Sequence, residues 1–198
     1  MNDVFEKYRI SLRSILDSFL VNPILFLLLK LKLTPNTVTF LGFLVCCISA
    51  YFISSGSFLI GGLLVLLSGF MDIFDGALAR KMELITDKGA FLDSTLDRLS
   101  EAIVLIGLIY FFSSSNETNL VLLTALSLVF SILISYLRAR IEGLGYNSKG
   151  GFFTRPERAL VVSLGLIFFS PEFTVTLLSI ATTAGLFHRF LIFWRLLK

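Results

Sequence analysis

Six long stretches of the sequence consist almost wholly of apolar residues, and short polar segments separate them. Hydrophobic residues make up 56% of the 198 residues and charged residues only 16%, whereas soluble domains are about 25% charged. So few charges cannot coat a soluble globule of this size, and the 21 phenylalanines are equally unlike a disordered chain. The sequence therefore predicts an integral membrane protein.

The apolar stretches predict an all-α bundle of six transmembrane helices. They are residues 38–53, 58–71, 102–112, 120–137, 159–169 and 174–194, and the third span is expected to begin near Gly89, within the polar segment before its apolar part. A span needs about 20 residues, so the fifth stretch is short unless Glu157 and Arg158 belong to its first turn. Thr34 as a helix cap and Pro35 as the first helical residue predict where the first span begins.

Residues 1–33 are expected to precede this bundle as a juxtamembrane segment. Residues 3–19 have a helical period of apolar positions with a basic face, which is typical of an amphipathic helix lying in the membrane interface. Residues 34–198 would form the bundle, so we expect a single domain over 1–198. Six spans leave no room for a second one.

The basic residues predict the orientation of the bundle. With the N-terminus in the cytoplasm, all 17 lysines and arginines lie in or beside the cytoplasmic segments 1–36, 72–101 and 138–158 and the C-terminal end. The outer turns 54–57, 113–119 and 170–172 contain none. The positive-inside rule therefore predicts a multi-pass cell-membrane protein with both termini in the cytoplasm. The net charge of +3 is explained by this topology, and no nucleic-acid partner is expected.

Four aspartates lie close together in sequence around the second polar segment. Asp72 and Asp75 are three residues apart near the end of one apolar helix, and Asp93 and Asp97 are four apart near the start of the next. These spacings place each pair on one face of its helix. Because a short connection makes the two helices antiparallel neighbours, the four carboxylates are expected to converge near the cytoplasmic membrane surface.

This convergence predicts a site for divalent metal, because close carboxylates without a cation repel one another. Oxygen ligands with no nearby histidine or cysteine are typical of a hard ion, Mg²⁺ or Mn²⁺. Two ions held by shared carboxylates suit phosphoryl-type transfer, since they neutralise a diphosphate and polarise the attacked phosphorus. Gly76 and Gly89 leave room for a bound ligand, and Arg80, two turns after Asp72, can reach a phosphate oxygen.

The segment from Asp72 to Asp97 fits the pattern D-x2-D-G-x2-A-R-x8-G-x3-D-x3-D. The chain is identified on this motif as a member of the CDP-alcohol phosphotransferase family, whose six-helix membrane architecture agrees with the six apolar stretches. The resemblance implies a site holding two metal ions, a general base at Asp97, and homodimers. The implied metal ligands are Asp72, Asp75, Asp93 and Asp97. The implied contacts to the CDP-lipid are Asn36, Thr37, Val38, Thr39, Gly76, Arg80, Thr86 and Gly89.

The family resemblance also implies a reaction. A CDP-linked lipid binds with its diphosphate on the metals, and Asp97 removes a proton from an acceptor hydroxyl. That hydroxyl attacks the phosphorus attached to the lipid, and CMP leaves. The motif does not identify the acceptor, nor does it distinguish CDP-diacylglycerol from CDP-archaeol.

A second basic cluster bears on the acceptor. Arginines beside a metal site suit a phosphorylated, water-soluble acceptor, because guanidinium binds phosphate with two parallel hydrogen bonds. Five basic residues lie in segment 138–158, and one more lies near the end of the last span; they are Arg138, Arg140, Lys149, Arg155, Arg158 and Arg189. The segments Ser-Tyr-Leu-Arg-Ala-Arg and Arg-Pro-Glu-Arg resemble the branch of the family that makes phosphatidylinositol phosphate, or its archaeal counterpart, from inositol 1-phosphate. By that resemblance Arg138, Arg155 and Arg189 hold the acceptor phosphate.

Three other functions remain open at the level of sequence. Glycerol 3-phosphate is also a phosphorylated acceptor, so synthesis of phosphatidylglycerophosphate fits the same residues. A membrane prenyltransferase also uses Mg²⁺ on aspartates, although its acidic motifs lie on widely separated spans. A cation-coupled transporter places acids in the membrane but does not need them at one edge beside arginines. The sequence favours an enzyme that transfers a phosphatidyl-type group to inositol 1-phosphate.

Overall fold

The computed structural model describes residues 22–147 and 151–197, and these residues form helices and short connections without any strand. The prediction of an all-α fold is therefore confirmed for this part of the chain. The proposed interfacial helix over residues 3–19 lies outside the described residues. The helices in chain order are α1 (Asn22–Lys30), α2 (Pro35–Ser54), α3 (Phe58–Lys81), α4 (Asp87–Ser114), α5 (Thr118–Gly143), α6 (Arg155–Phe168) and α7 (Pro171–Leu196).

Four of these helices, α2, α3, α5 and α7, are long and apolar enough to cross a membrane. Helix α4 has 28 residues, but every 18-residue stretch of it contains Asp97, Arg98 and Glu101. Helix α6 has only 14 residues, fewer than the roughly 20 that a span requires. Four apolar helices support a membrane protein, and the count of six spans stays a prediction.

Polar side chains define where the helices begin, as the sequence predicts at Thr34. The Thr34 hydroxyl accepts a hydrogen bond from the Thr37 N–H at 3.3 Å, with Pro35 as the first helical residue. At the start of α6, Glu157 accepts a hydrogen bond from the backbone N–H of Thr154. This helix begins at Arg155, four residues before the apolar stretch, so Glu157 and Arg158 do belong to its first turn.

Close helix packing brings the charged helix ends together. In α4, a Cβ on Gly107 would lie 2.7 Å from the carbonyl oxygen of Ala50 in α2, so only glycine permits this approach. Between α2 and α3, Ser68 Oγ donates to the carbonyl oxygen of Gly42 at 3.0 Å. Helix α2 packs against both α3 and α4, and α6 packs against α3. The last turns of α3 therefore lie beside the first turns of α4 and α6.

Candidate active site

The four motif aspartates approach one another from helices α3 and α4. One carboxylate oxygen from each of Asp72, Asp75 and Asp93 can be chosen so that all three lie within 4.8 Å of one another. The predicted convergence is therefore present for three of the four acids. Asp97 lies outside this group of three, on the side that faces α6, although it shares a small cavity with Asp72, Asp75 and Thr39.

Two carboxylate oxygens in this group have no hydrogen-bond donor. Asp75 is 6% exposed, and its Oδ2 atom, like Oδ1 of Asp93, is buried without a partner among the described residues. Buried carboxylate oxygens are normally satisfied by a donor or a cation. A hard divalent ion is the ligand that fits an all-oxygen group of this kind. The residues present are therefore suited to a bound metal ion.

Asp97 contacts an arginine from α6. Nη1 of Arg155 lies 2.6 Å from Oδ1 of Asp97 and 2.9 Å from Oδ1 of Asp72, so one nitrogen bridges two acids on different helices. The two carboxylates thus offset the cost of burying the Arg155 charge. The sequence predicted Arg155 near the acids but not this direct bridge.

The residues predicted to contact the CDP-lipid lie at the ends of three helices. Around Gly89 in α4, a Cβ would lie 3.1 Å from Oγ1 of Thr86 and 3.4 Å from Oδ1 of Asn36, so these three residues are neighbours. In α3, Gly76 and Arg80 form a second neighbouring pair, because a Cβ on Gly76 would lie 3.5 Å from Nη1 of Arg80.

Residues 37–39 in the first turn of α2 differ in what they offer to a ligand. Val38 is 1% exposed and packs against Leu25 and Leu78, so its side chain is not available at the surface. The Thr37 hydroxyl lies 2.8 Å from the hydroxyl of Thr34. The Thr39 hydroxyl donates to the carbonyl oxygen of Pro35 at 3.1 Å and also faces the cavity beside Asp75.

The three arginines predicted for the acceptor line one cavity of about 190 Å³. Asp72 and Asp97 form part of its wall, so the arginines and the acids face the same space. Arg189 is 3% exposed, and its Nε atom lacks a hydrogen-bond partner within the described residues. Arg138 is more exposed and pairs with Glu142 at 3.1 Å. Lys149, another basic residue of segment 138–158, lies outside the described residues.

The structure adds an ion pair that sequence reasoning missed. Arg158 is 1% exposed, and its Nε and Nη2 atoms lie 2.5 Å and 2.7 Å from the two carboxylate oxygens of Glu101. The sequence signal for this ion pair is the helical spacing of its residues. Glu101 follows Asp97 by one helical turn, and Arg158 follows Arg155 by almost one turn. The partners are 57 residues apart, so spacing alone does not pair them.

An apolar bundle with acids from two helices at one end, beside an arginine-lined cavity, is suited to a membrane enzyme that transfers phosphate esters. A sequence model of the family described as CDP-alcohol phosphatidyltransferase matches residues 32–191. The chain belongs to this family and is an enzyme of this class. This membership favours a transferase of CDP-linked alcohols over a prenyltransferase or a transporter.

Several relatives within the family are similar along most of their length. The chain is 35% identical to the archaetidylinositol phosphate synthase of Methanothermobacter thermautotrophicus over 175 residues, 85% of this chain and 87% of that one. It is 36% identical to the phosphatidylinositol phosphate synthase of Mycobacteroides abscessus over 151 residues, 75% of this chain and 69% of that one.

Solved structures of one such relative share the fold. The phosphatidylinositol phosphate synthase of Mycobacterium tuberculosis with CDP-DAG bound superposes with a TM-score of 0.81 at 33% identity, covering 88% of this chain and 94% of that one. The same synthase in complex with manganese and citrate also gives a TM-score of 0.81 at 33% identity, covering 88% and 89%.

Proposed function

We propose that this enzyme transfers a phosphatidyl-type group from a CDP-lipid to inositol 1-phosphate, with release of CMP. The observation that carries the proposal is the cavity in which Arg138, Arg155 and Arg189 face Asp72 and Asp97. Arginine forks suit the phosphate of a small polar acceptor, and the acids lie where its hydroxyl would react. The names of the similar synthases agree with inositol phosphate as the acceptor.

The acidic group would hold two divalent ions, with Asp72, Asp75, Asp93 and Asp97 as ligands. Mg²⁺ and Mn²⁺ both suit this oxygen-rich set, and manganese is present in the structure of a similar synthase. When bound, the ions neutralise the diphosphate and polarise the phosphorus attached to the lipid. The unpartnered buried oxygens of Asp75 and Asp93 support this assignment.

Asp97 would act as the general base. It lines both the small cavity beside the acids and the arginine-lined cavity, so it would lie between the bound lipid phosphates and the bound acceptor. There its carboxylate takes the proton of the acceptor hydroxyl. A bond forms between that hydroxyl oxygen and the lipid-bound phosphorus, and the bond from this phosphorus to the CMP oxygen breaks.

The CDP end of the lipid would lie along the start of α2, the end of α3 and the start of α4. This would be the edge of the acidic group opposite the arginine-lined cavity. The expected contacts are Asn36, Thr37, Val38, Thr39, Gly76, Arg80, Thr86 and Gly89. The proximity of Asn36, Thr86 and Gly89 supports one continuous nucleotide surface. Val38 would take part through its backbone, because its side chain is buried.

In the cell, the chain would span the membrane six times and form homodimers. Both termini and the site would face the cytoplasm, because the lysines and arginines are concentrated in the segments at one end of the predicted spans. Helices α4 and α6 would be the two spans that hydropathy alone does not identify. The lipid portion of the substrate would be diacylglycerol or archaeol.

A panel of acceptors tests the proposed function. The purified enzyme is given a CDP-lipid and radiolabelled inositol 1-phosphate, inositol or glycerol 3-phosphate, and CMP and the labelled lipid are measured. We expect both products with inositol 1-phosphate and little with unphosphorylated inositol, which lacks the group that the arginines bind. Faster turnover with glycerol 3-phosphate would show that this compound, rather than inositol 1-phosphate, is the acceptor. If no acceptor led to release of CMP, the proposed function would be rejected.

A further inference from the structure

Two ion pairs join α4 to α6, and they lie about one helical turn apart. The outer pair is Asp97 with Arg155, whose side chains are 20% and 22% exposed. The inner pair is Glu101 with Arg158, at 15% and 1%. Asp97 and Glu101 are four residues apart on one helix, and Arg155 and Arg158 are three apart on the other, so the two pairs are parallel.

The inner pair also holds the segment before α6. Nη1 of Arg158 donates to the carbonyl oxygen of Phe153 at 3.1 Å, while Nε and Nη2 bind Glu101. Each of these three nitrogens therefore has an oxygen partner. This arrangement ties residue 153, α6 and α4 to one another through a single buried side chain.

The segment that Arg158 holds has an unusual backbone. Phe153 has a φ of +66°, which bulky residues rarely adopt and which persists only where the surrounding structure fixes it. Its neighbour Gly151, at φ +97°, lies so close to Arg189 that a Cβ would come within 2.9 Å of Nε. The backbone between Gly151 and Arg155 thus controls the placement of two arginines in the acceptor cavity.

We propose that Glu101 and Arg158 are positioning residues for the acceptor end of the active site. Their pair fixes the carbonyl of Phe153 and the first turn of α6, which holds the Arg155 guanidinium between Asp72 and Asp97 and keeps Gly151 against Arg189. Burying an ion pair is not in itself an efficient way to stabilise a fold. Fixing the geometry of a phosphate-binding surface gives this pair a function. The proposal rests on the proposed function, since it takes the arginine-lined cavity as the acceptor site.

A neutral double variant separates positioning from folding. Glu101→Gln with Arg158→Met removes both charges at once, so neither is left buried without a partner. We expect a monodisperse protein in detergent whose KM for the acceptor rises about 10- to 100-fold, while its KM for the CDP-lipid changes little. Glu117→Gln, an exposed change in the turn between α4 and α5, is the control and should leave both constants unchanged.

The same double variant in an Arg155→Ala background tests whether the pair acts through Arg155. If it does, the two effects on the acceptor KM are less than additive, because the residue to be positioned is already missing. Full additivity would overturn the proposal, and so would an unchanged acceptor KM in the double variant. A loss of kcat with both KM values unchanged would indicate a merely structural role.

Arg158→Lys provides a second variant if the neutral pair does not fold. Lysine keeps the charge beside Glu101, but one ammonium group cannot bind both carboxylate oxygens and the carbonyl of Phe153. We expect the acceptor KM to rise, and an unchanged value would reject the positioning role. The KM is measured with whichever phosphorylated acceptor the unaltered enzyme uses. An unaltered enzyme that releases no CMP would reject the proposed function instead.

Discussion

Asp97 lies where the acids of α3 and α4 meet the arginines of the acceptor cavity. Its Oδ1 atom is 2.6 Å from Nη1 of Arg155, and its carboxylate lines both cavities that border the site. This double placement distinguishes it from Asp75, which is buried within the group of three acids. The two aspartates should therefore respond differently to the same substitution.

Asp97→Asn keeps the shape of the side chain but removes the proton acceptor. We expect turnover, measured as CMP release, to fall at least about 100-fold. Binding of the CDP-lipid, measured by titration calorimetry in detergent, should persist, because the nucleotide contacts lie elsewhere and the other three proposed metal ligands, Asp72, Asp75 and Asp93, are unchanged. Turnover at the normal rate would contradict the assignment of Asp97 as the general base.

Arg155→Ala removes a guanidinium that faces the acceptor cavity and contacts Asp72 and Asp97. We expect the KM for the acceptor to rise about 10-fold or more, because a hydrogen bond to a charged group contributes roughly 1.5–3 kcal/mol. The KM for the CDP-lipid should rise less. Arg140→Ala is the control, since Arg140 is exposed in the last turn of α5 and does not line the cavity. A change confined to the CDP-lipid KM would show that the acceptor pocket is misplaced.

At the scale of elements, local chemistry predicts the helix starts better than their pairing. Thr34 and Pro35 identify the start of α2 because a cap and a first-turn proline act within four residues. The bridge from Arg155 to Asp72 and Asp97 depends on the rotation of α6 against α3 and α4, which no local pattern encodes. For the same reason Glu101 could not be assigned to the site from the sequence alone.

The contact between α2 and α4 depends on one glycine. In Gly107→Ala the added methyl group would lie 2.7 Å from the carbonyl oxygen of Ala50, and the two helices would have to separate. We expect a loss of stability of about 1–3 kcal/mol, measured as a lower Tm in detergent. Gly69→Ala on α3 is the matched control, because a methyl group there meets nothing within 4 Å. Equal Tm values for the two variants would contradict the close approach.

At the scale of the whole molecule, metal should couple activity to stability. Removal of divalent ions with excess EDTA is expected to abolish CMP release, and Mg²⁺ or Mn²⁺ should restore it. A bound ion stabilises the folded state in proportion to the logarithm of its concentration, so Mn²⁺ should also raise the Tm. This increase should be lost in Asp75→Asn. Activity that survives the chelator would reject the metal site.

Helix α4 carries too many charges to be identified as a span by hydropathy. A topology experiment tests whether it nevertheless crosses the bilayer. Single cysteines replace Ser115 or Lys81 in a chain whose Cys46 and Cys47 are serines, and intact cells are treated with an impermeant thiol reagent. The six-span arrangement predicts labelling at residue 115 and none at residue 81 before lysis. Labelling of both or neither would mean that α4 does not cross, and the reversed pattern would mean the opposite orientation.

The pairing of α4 with α6 also has a consequence for how the protein is made. Glu101 and Arg158 are 57 residues apart, so at roughly 5–20 residues per second Glu101 is synthesised about 3 to 11 seconds before Arg158. During that interval Asp97 and Glu101 lack the counter-charges that later neutralise them. Helix α4 is therefore expected to insert fully into the bilayer only after α6 has been synthesised. Formation of the active site would then depend on the final third of translation.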